Sequence, residues 1–207
     1  GGQRLMLNHP AARKVAAVII DPPAKLLVRM KVSPDAVTLT GTIGGSLSML
    51  ILIPQGEFIW AFVLGVFFGM SDLLDGTMAR MTGKSGPWGN FLDATLDRIT
   101  DGAVFAALVL WGMNEENYWI VGGALLALVS GQVVSYSKAR AEAVGATANV
   151  GIAERAERLI LTGIAILLTG FGVPYVLAIA LWIIGIAGVV TVFQRMIEVR
   201  RQFRSAT

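Results

Sequence analysis

Residues 71–101 read SDLLDGTMARMTGKSGPWGNFLDATLDRITD and contain the pattern that decides the fold. Long apolar segments precede and follow this stretch, so it covers the end of one helix, a short break and the start of the next helix. One face of the first helix carries Asp72, Asp75, Gly76 and Ala79. Asp93 and Asp97 share a face of the second helix because they are four residues apart. A short connection makes the helices antiparallel neighbours, and we expect their acidic faces to meet.

Four carboxylates gathered in this way predict a metal site. In a medium of low dielectric constant they would repel one another strongly, and their burial as free ions is too costly. Two divalent cations would neutralise them, and oxygen ligands suit Mg²⁺, Mn²⁺ or Ca²⁺. Such a pair of ions, about 4 Å apart, acts as a clamp for displacement at phosphorus. The predicted metal ligands are Asp72, Asp75, Asp93 and Asp97.

The small residues and the arginine beside the aspartates indicate a phosphate-containing substrate. Gly76 and Ala79 remove side-chain bulk where a phosphate would approach the helix, and Arg80 is suited to a bidentate contact with it. The alternative is that the aspartates are helix caps or surface charges at a membrane boundary. That explains one or two of them, whereas ionisable residues inside membrane spans usually have a function.

The composition places the chain in a membrane. Apolar residues make up 55% of it and charged residues 15%, compared with about 25% charged residues in soluble domains. Cysteine is absent and His9 is the one histidine. Disulfides, thiolate catalysis, cysteine-based metal sites and histidine triads are therefore excluded. We expect a lipid bilayer and no nucleic acid among the partners.

The hydropathy pattern predicts an all-α integral membrane protein with six transmembrane helices, because six segments approach the ~20 residues that a bilayer requires. We expect one domain over residues 1–207, with an interfacial segment at 1–34, the spans within 35–197 and a cytoplasmic tail at 198–207. The predicted spans are 35–53, 58–80, 90–113, 118–141, 156–171 and 174–197.

The distribution of basic residues predicts the orientation. With six spans both termini lie on one side, together with the loops at 81–89 and 142–155. All 17 lysines and arginines fall in or near these segments, whereas the opposite loops carry Glu57, Glu115 and Glu116. By the positive-inside rule the termini and the acidic site face the cytoplasm, and we expect a multi-pass protein of the cell inner (plasma) membrane.

Residues 10–31 predict an N-terminal amphipathic helix, or a pair of helices, that lies in the membrane interface. Arg13, Lys14 and Lys25 would face lipid headgroups, while Val15 and Leu26 would enter the acyl boundary. The alternative is that these basic residues serve only as a topology signal.

The sequence resembles the CDP-alcohol phosphotransferase family. The resemblance rests on Asp72-x-x-Asp75-Gly76-x-x-Ala79-Arg80, eight residues, then Gly89-x-x-x-Asp93-x-x-x-Asp97, which reproduces the family signature without departure. It implies a Mg²⁺-dependent transferase of six spans that forms a homodimer, with Mn²⁺ as an alternative metal. It also implies that the first three aspartates bind two Mg²⁺ ions, and that Asp97 completes the site and is the general base.

The resemblance further implies contacts with a nucleotide diphosphate, here CDP-diacylglycerol. They extend to the start of the first span, although many family members have Asn in place of Asp35. The loop between the two acidic helices is expected to cover the nucleotide, with a flexible turn as the equally weighted alternative. The predicted CDP-diacylglycerol contacts are Asp35, Ala36, Val37, Thr38, Gly76, Ala79, Arg80, Ser85 and Gly86.

Basic residues near the later spans predict an acceptor that is itself a phosphate ester, because arginine is well matched to phosphate. The stretches Ser-x-x-Lys-Ala-Arg-Ala-Glu at 135–142 and Glu-Arg-x-Glu-Arg-Leu at 154–159 resemble those of bacterial phosphatidylinositol-phosphate synthases. These enzymes transfer the phosphatidyl group of CDP-diacylglycerol to inositol phosphate and release CMP, and we expect the same reaction here. The predicted acceptor-phosphate ligands are Lys138, Arg140, Arg155 and Arg195.

Three alternatives stay open from the sequence. Phosphatidylglycerophosphate synthesis also uses a phosphorylated acceptor, glycerol phosphate. The basic residues could instead be a topology signal with anionic-lipid contacts. A small cation transporter could use the aspartates as an ion path, but polar groups should then continue through the full membrane depth, and the last two spans lack them there.

Overall fold

The structure is a computed structural model that describes residues 10–83 and 86–204, with side chains from Ile20 onward. Within these residues the secondary structure is helical, without β-strands, which confirms the predicted all-α class. A 3₁₀ turn, Ile53–Gln55, follows the second of the eight α-helices that the described residues form. The helices are α1 (Pro10–Arg29), α2 (Pro34–Leu52), α3 (Phe58–Gly69), α4 (Ser71–Thr82), α5 (Pro87–Asn114), α6 (Tyr118–Ala143), α7 (Arg155–Gly170) and α8 (Val176–Arg204).

Four helical segments of the described chain are long and apolar enough to cross a membrane. They are Pro34–Gln55, Phe58–Thr82, Tyr118–Ala143 and Val176–Arg204. The other two predicted spans correspond to α5 and α7. Helix α5 carries Asp93 and Asp97 in its first half and Asp101 at its middle, and α7 has only 16 residues. Six spans therefore stay a prediction.

Local sequence signals explain where the helices around the acidic stretch begin and end. The Ser33 hydroxyl accepts a hydrogen bond from the Ala36 amide at 3.2 Å, and Pro34 occupies the first helical position of α2, where its missing N–H costs nothing. Helix α4 ends at Gly83, whose φ of 66° lies in the left-handed region that glycine adopts without strain. Pro87 then starts α5.

The described chain divides into two compact units. The first contains the residues up to Gly45 and Val66–Ile99, and the second contains Ser46–Gly65 and the residues from Thr100 onward. Helices α2, α3 and α5 contribute to both units. The single domain predicted from the sequence stays a prediction.

Two glycines set the packing of the first unit. A Cβ on Gly41 would overlap the Ser71 side chain, and one on Gly44 would overlap the ring of Phe68. Small residues let two helix backbones approach closely, as in many membrane helix pairs. Gly44 faces Phe68 and Gly41 faces Ser71, so residue numbers rise along one segment as they fall along the other. The two segments are therefore antiparallel. One turn further, this register places Thr38 opposite Asp75.

Helix α1, which also belongs to the first unit, packs against α4. It contains Pro22 and Pro23, and Lys25 and Leu26 are both exposed. The side chains of Arg13, Lys14 and Val15 lie outside the described residues. The structure contains an α-helix at Pro10–Arg29, and its amphipathic character and interfacial position stay predictions.

The second unit has an apolar core and a fixed loop before α7. Helix α8 packs along both α6 and α7. In the core, Phe58 meets Trp111 edge to face, with ring centroids 4.8 Å apart. The hydroxyl of buried Thr191 accepts hydrogen bonds from the amides of Ile152 and Ala153, at 3.2 and 3.1 Å. These bonds hold the segment that leads into α7.

Candidate active site

Three aspartates of the first unit form a cluster that could hold a cation. One carboxylate oxygen from each of Asp72, Asp93 and Asp97 lies within 4.8 Å of the other two. Asp72 comes from α4 and the other two from α5, as the meeting of two acidic faces predicts. Asp72 and Asp93 are exposed and Asp97 is half-buried, so a cation could reach them from solvent. Three carboxylates at this spacing fit a hard divalent cation.

Asp75 differs from these three in its environment. It is 9% exposed, and its Oδ2 accepts a hydrogen bond from the Thr38 hydroxyl at 2.5 Å. The same hydroxyl lies 3.1 Å from the Pro34 carbonyl, and its single proton favours the shorter contact with the carboxylate. Asp75 is also close enough to Asp72 and Asp93 for their charges to repel. Thr38 thus orients a predicted metal ligand, whereas the sequence analysis predicted only a nucleotide contact for it.

Arg80 extends back along its own helix. Its Nη2 donates to the Thr77 hydroxyl at 2.9 Å, and its Nη1 lies 3.8 Å from the place that a Cβ on Gly76 would occupy. The missing side chain of Gly76 therefore leaves room beside the guanidinium group. That Gly76 clears space for a phosphate bound by Arg80 stays a prediction.

Trp88, for which the sequence predicts no role, contacts one of the predicted nucleotide-binding residues. Its indole Nε1–H donates to Asp35 Oδ2 at 2.9 Å, which joins the start of α5 to the start of α2 within the first unit. Of the other predicted nucleotide contacts, Ala36 and Gly86 are exposed, Val37 and Ala79 are half-buried, and Ser85 lies outside the described residues.

In the second unit, two arginines of α7 contact one carboxylate of α5. Arg155 Nε donates to Asp101 Oδ1 at 3.1 Å, and Arg158 Nη2 lies 3.6 Å from Asp101 Oδ2. Asp101 therefore pairs with both Arg155 and Arg158. Arg158 is not among the residues predicted from the sequence.

Arg195 is almost fully buried in the second unit, at 4% exposure. Its Nε donates to the Val150 carbonyl at 3.0 Å, and its Nη1 donates to the Val134 carbonyl. Two of its three nitrogens therefore hold the backbone of α6 and of the loop before α7. The sequence predicted an acceptor ligand at this position, and the structure adds this scaffolding contact.

Lys138 and Arg140 fall on different sides of α6. Around the axis of an ideal α-helix, Lys138 is rotated by about 20° from Gly131, whereas Arg140 is rotated by about 180° from it. Gly131 is the residue against which the Arg158 guanidinium packs. Arg140 instead lines an open, mainly apolar groove of the second unit together with Tyr136, Phe193, Met196 and Arg200. Both side chains are exposed.

These features agree with a comparison of the chain with known protein families. The sequence pattern of CDP-alcohol phosphatidyltransferases matches residues 31–193. The chain belongs to this family. The family and the enzyme class predicted from the eight-position signature are thereby confirmed. The four long apolar helices agree with a membrane protein of this family.

The chain is also similar to individual proteins of this family. The chain is 44% identical over 211 residues to the phosphatidylinositol phosphate synthase of Streptomyces avermitilis, an alignment that covers 98% of this chain and 86% of the relative. A crystal structure of the Mycobacterium tuberculosis phosphatidylinositol phosphate synthase with CDP-DAG bound matches with a TM-score of 0.85 and 39% identity, covering 88% of this chain and 94% of that one.

A second crystal structure of the Mycobacterium tuberculosis enzyme bears on the metal. That structure, in complex with manganese and citrate, has a TM-score of 0.82 and 39% identity, and it covers 86% of this chain and 87% of that one. Together with the carboxylate cluster of Asp72, Asp93 and Asp97, it indicates that proteins of this kind use a divalent metal.

Proposed function

We propose that this protein transfers the phosphatidyl group of CDP-diacylglycerol to inositol phosphate, giving phosphatidylinositol phosphate and CMP. The observation that carries the proposal is the cluster of Asp72, Asp93 and Asp97 in a chain of this family. The names of the relatives support the choice of acceptor, because the Streptomyces avermitilis relative is a phosphatidylinositol phosphate synthase.

The proposed metal ligands are Asp72, Asp93 and Asp97, with Asp75 held beside them by Thr38. Their hard oxygen donors favour Mg²⁺, and four carboxylates balance the charge of two ions, with Mn²⁺ as an alternative. When bound, such ions would stabilise negative charge on the diphosphate of the substrate. The protein contributes by fixing the carboxylates before the substrate arrives, as the hydrogen bond from Thr38 to Asp75 does.

The transfer itself is a displacement at phosphorus. The acceptor hydroxyl oxygen forms a bond to the β-phosphorus of CDP-diacylglycerol. The bond between that phosphorus and the bridging oxygen breaks, and CMP leaves with the bridging oxygen and its electron pair. Asp97 takes the hydroxyl proton as general base. Its half-buried position suits both contact with a cation and access to an acceptor.

The proposed nucleotide-binding surface lies in the first unit. The Arg80 guanidinium, beside the space left by Gly76, would contact a phosphate of CDP-diacylglycerol. The amino-terminal turn of α2, with Asp35 held by Trp88, would contact the nucleotide. Ala36, Val37, Thr38, Ala79, Ser85 and Gly86 complete the proposed set.

The proposed acceptor-phosphate ligands belong to the second unit. Arg155 is the strongest candidate, because its side chain is 28% exposed and Asp101 fixes its Nε. Lys138 is favoured over Arg140, because it shares the α6 face that Arg158 contacts through Gly131. Arg195 would contribute through the part of its guanidinium group that does not hold the backbone.

The proposed architecture is a homodimer of six-span subunits in the cell inner (plasma) membrane, with both termini and the active site cytoplasmic. The support is the segregation of lysines and arginines along the sequence and the dimers implied by the family resemblance. Helix α5 would cross the membrane despite its aspartates, because the last of them, Asp101, lies at its middle and an apolar run follows.

A CMP-release assay tests the acceptor. Purified protein is supplied with radiolabelled CDP-diacylglycerol and, in separate reactions, with inositol phosphate, inositol, glycerol phosphate or serine. We expect CMP release and a labelled lipid product with inositol phosphate alone. A preference for glycerol phosphate would establish the alternative synthase, and equal use of inositol would remove the role of the acceptor phosphate. Cation flux without CMP release would favour a transporter.

A further inference from the structure

Asp101 bridges two arginines of the second unit. It is 5% exposed and lies in α5. One of its oxygens accepts a hydrogen bond from Arg155 Nε at 3.1 Å, and the other lies 3.6 Å from Arg158 Nη2. Arg155 and Arg158 are three residues apart in α7 and so share a face of that helix. One carboxylate thus contacts two cations on one helix.

The two arginines differ in their exposure. The Arg158 side chain is 3% exposed, and its guanidinium group packs against Gly131 of α6, where a Cβ would overlap it. The Arg155 side chain is 28% exposed. Arg158 therefore ties Asp101 to the interior, and Asp101 in turn holds an arginine that reaches solvent.

We propose that Asp101 is a positioning residue for acceptor binding, which holds Arg155 in the orientation that receives the acceptor phosphate. This inference rests on the proposed function, in which Arg155 contacts that phosphate. An arginine has several rotatable bonds, and a ligand that must order them binds more weakly. The hydrogen bond at Nε restricts the rotation of the Arg155 side chain before the acceptor arrives. Supporting contacts around a binding site act in the same way.

Electrostatics alone makes the opposite prediction, which makes the inference testable. The negative charge of Asp101 opposes a phosphorylated acceptor, so its removal by Asp101→Asn should tighten binding if charge were its only effect. If Asp101 positions Arg155, the same substitution should weaken binding. The direction of the change in KM for inositol phosphate separates the two roles.

The experiment measures kcat and both KM values in the full-length membrane enzyme. We expect Asp101→Asn to raise KM for inositol phosphate roughly tenfold, because the amide keeps one acceptor oxygen, turns the other position into a donor and leaves at most a neutral hydrogen bond to Arg155. The KM for CDP-diacylglycerol should stay within about twofold and kcat within about threefold, because the substitution leaves the transfer step intact. An unchanged or lower KM for inositol phosphate overturns the inference.

A double-mutant cycle distinguishes positioning from general loosening of the fold. In the Arg155→Ala background, Asp101→Asn should have no further effect on this KM, because the side chain that it positions is gone. Equal effects in both backgrounds overturn the inference. Phe58→Leu loosens the core of the same unit at a residue outside the site, and it should lower thermal stability without raising the KM. A matching rise in Phe58→Leu also overturns the inference.

Arg155→Lys keeps the test decisive if Asp101→Asn fails to fold. Lysine preserves the charge but lacks the fork with which arginine contacts Asp101 and a phosphate together. We expect a tenfold rise in the same KM, and a normal value overturns the inference. If Arg155→Ala itself leaves this KM normal, the proposed acceptor role of Arg155 fails. In contrast, a raised KM in Arg155→Ala with a normal one in Asp101→Asn overturns the positioning role alone.

Discussion

Helix α5 carries aspartates in two contrasting environments. Asp93 and Asp97 belong to the first unit, where they gather with Asp72 at the border with solvent. Asp101, four residues after Asp97, belongs to the second unit and is buried against Arg155 and Arg158. All three continue one stripe of the helix, so the sequence spacing does not distinguish them.

The contrast shows that neighbouring charges decide what a carboxylate can do. Like charges within 4.8 Å oppose folding and favour the binding of cations, which makes the cluster with Asp72 suited to metal binding. Asp101 is already balanced by its arginine partners, so it stabilises and orients the protein around it.

Removal of divalent metal should abolish turnover. The cluster of Asp72, Asp93 and Asp97 offers oxygen ligands alone, and the proposed reaction depends on the cations that it holds. Protein treated with EDTA should lack CMP release and recover it with Mg²⁺ or Mn²⁺. Full activity in EDTA would contradict the metal assignment for this region.

Asp97→Asn should reduce kcat by about 10²–10⁴-fold, the usual cost of removing a general base. Affinity for CDP-diacylglycerol should change less, whereas Asp75→Asn should weaken metal binding. Asp101→Asn is the matched control on the same helix, and its kcat should stay within about threefold. A near-normal kcat for Asp97→Asn would show that another group takes the proton.

Neutralisation of the two kinds of aspartate should change stability in opposite directions. Asp101→Asn leaves buried Arg158 without its carboxylate partner, and such a loss costs about 3–5 kcal/mol. Asp93→Asn relieves repulsion in the metal-free cluster and should stabilise the protein by at most about 1 kcal/mol. Thermal unfolding in detergent with EDTA measures both changes. Equal destabilisation by the two substitutions would remove the distinction between the regions.

Lys138→Ala should weaken acceptor binding by about 1.5–3 kcal/mol, the contribution of a charge-assisted hydrogen bond. Arg140→Ala is the matched control, since it removes a nearby exposed cation on the opposite side of α6. Its KM for inositol phosphate should be normal. The reverse result would place the acceptor on the side of the apolar groove.

The sequence by itself determined the helical class, the family and the enzyme class. Helix boundaries lie close to the predicted spans because apolar length and breaks such as Gly83 and Pro87 are local properties of the chain. The grouping of Asp72 with Asp93 and Asp97 was also predictable, because helical spacing fixes which residues share a face. For the same reason the signature alone identified the family.

Contacts between distant segments were decided only by the tertiary structure. Thr38 meets Asp75 because Gly41 and Gly44 let two helices approach closely, and no local pattern specifies that register. Arg158 reaches Asp101 from a helix more than fifty residues away in sequence, and Trp88 reaches Asp35 in the same way. Helical periodicity places a side chain on a face, but packing between helices selects its partner, and the partner determines whether a charged group binds a ligand or holds another residue in place.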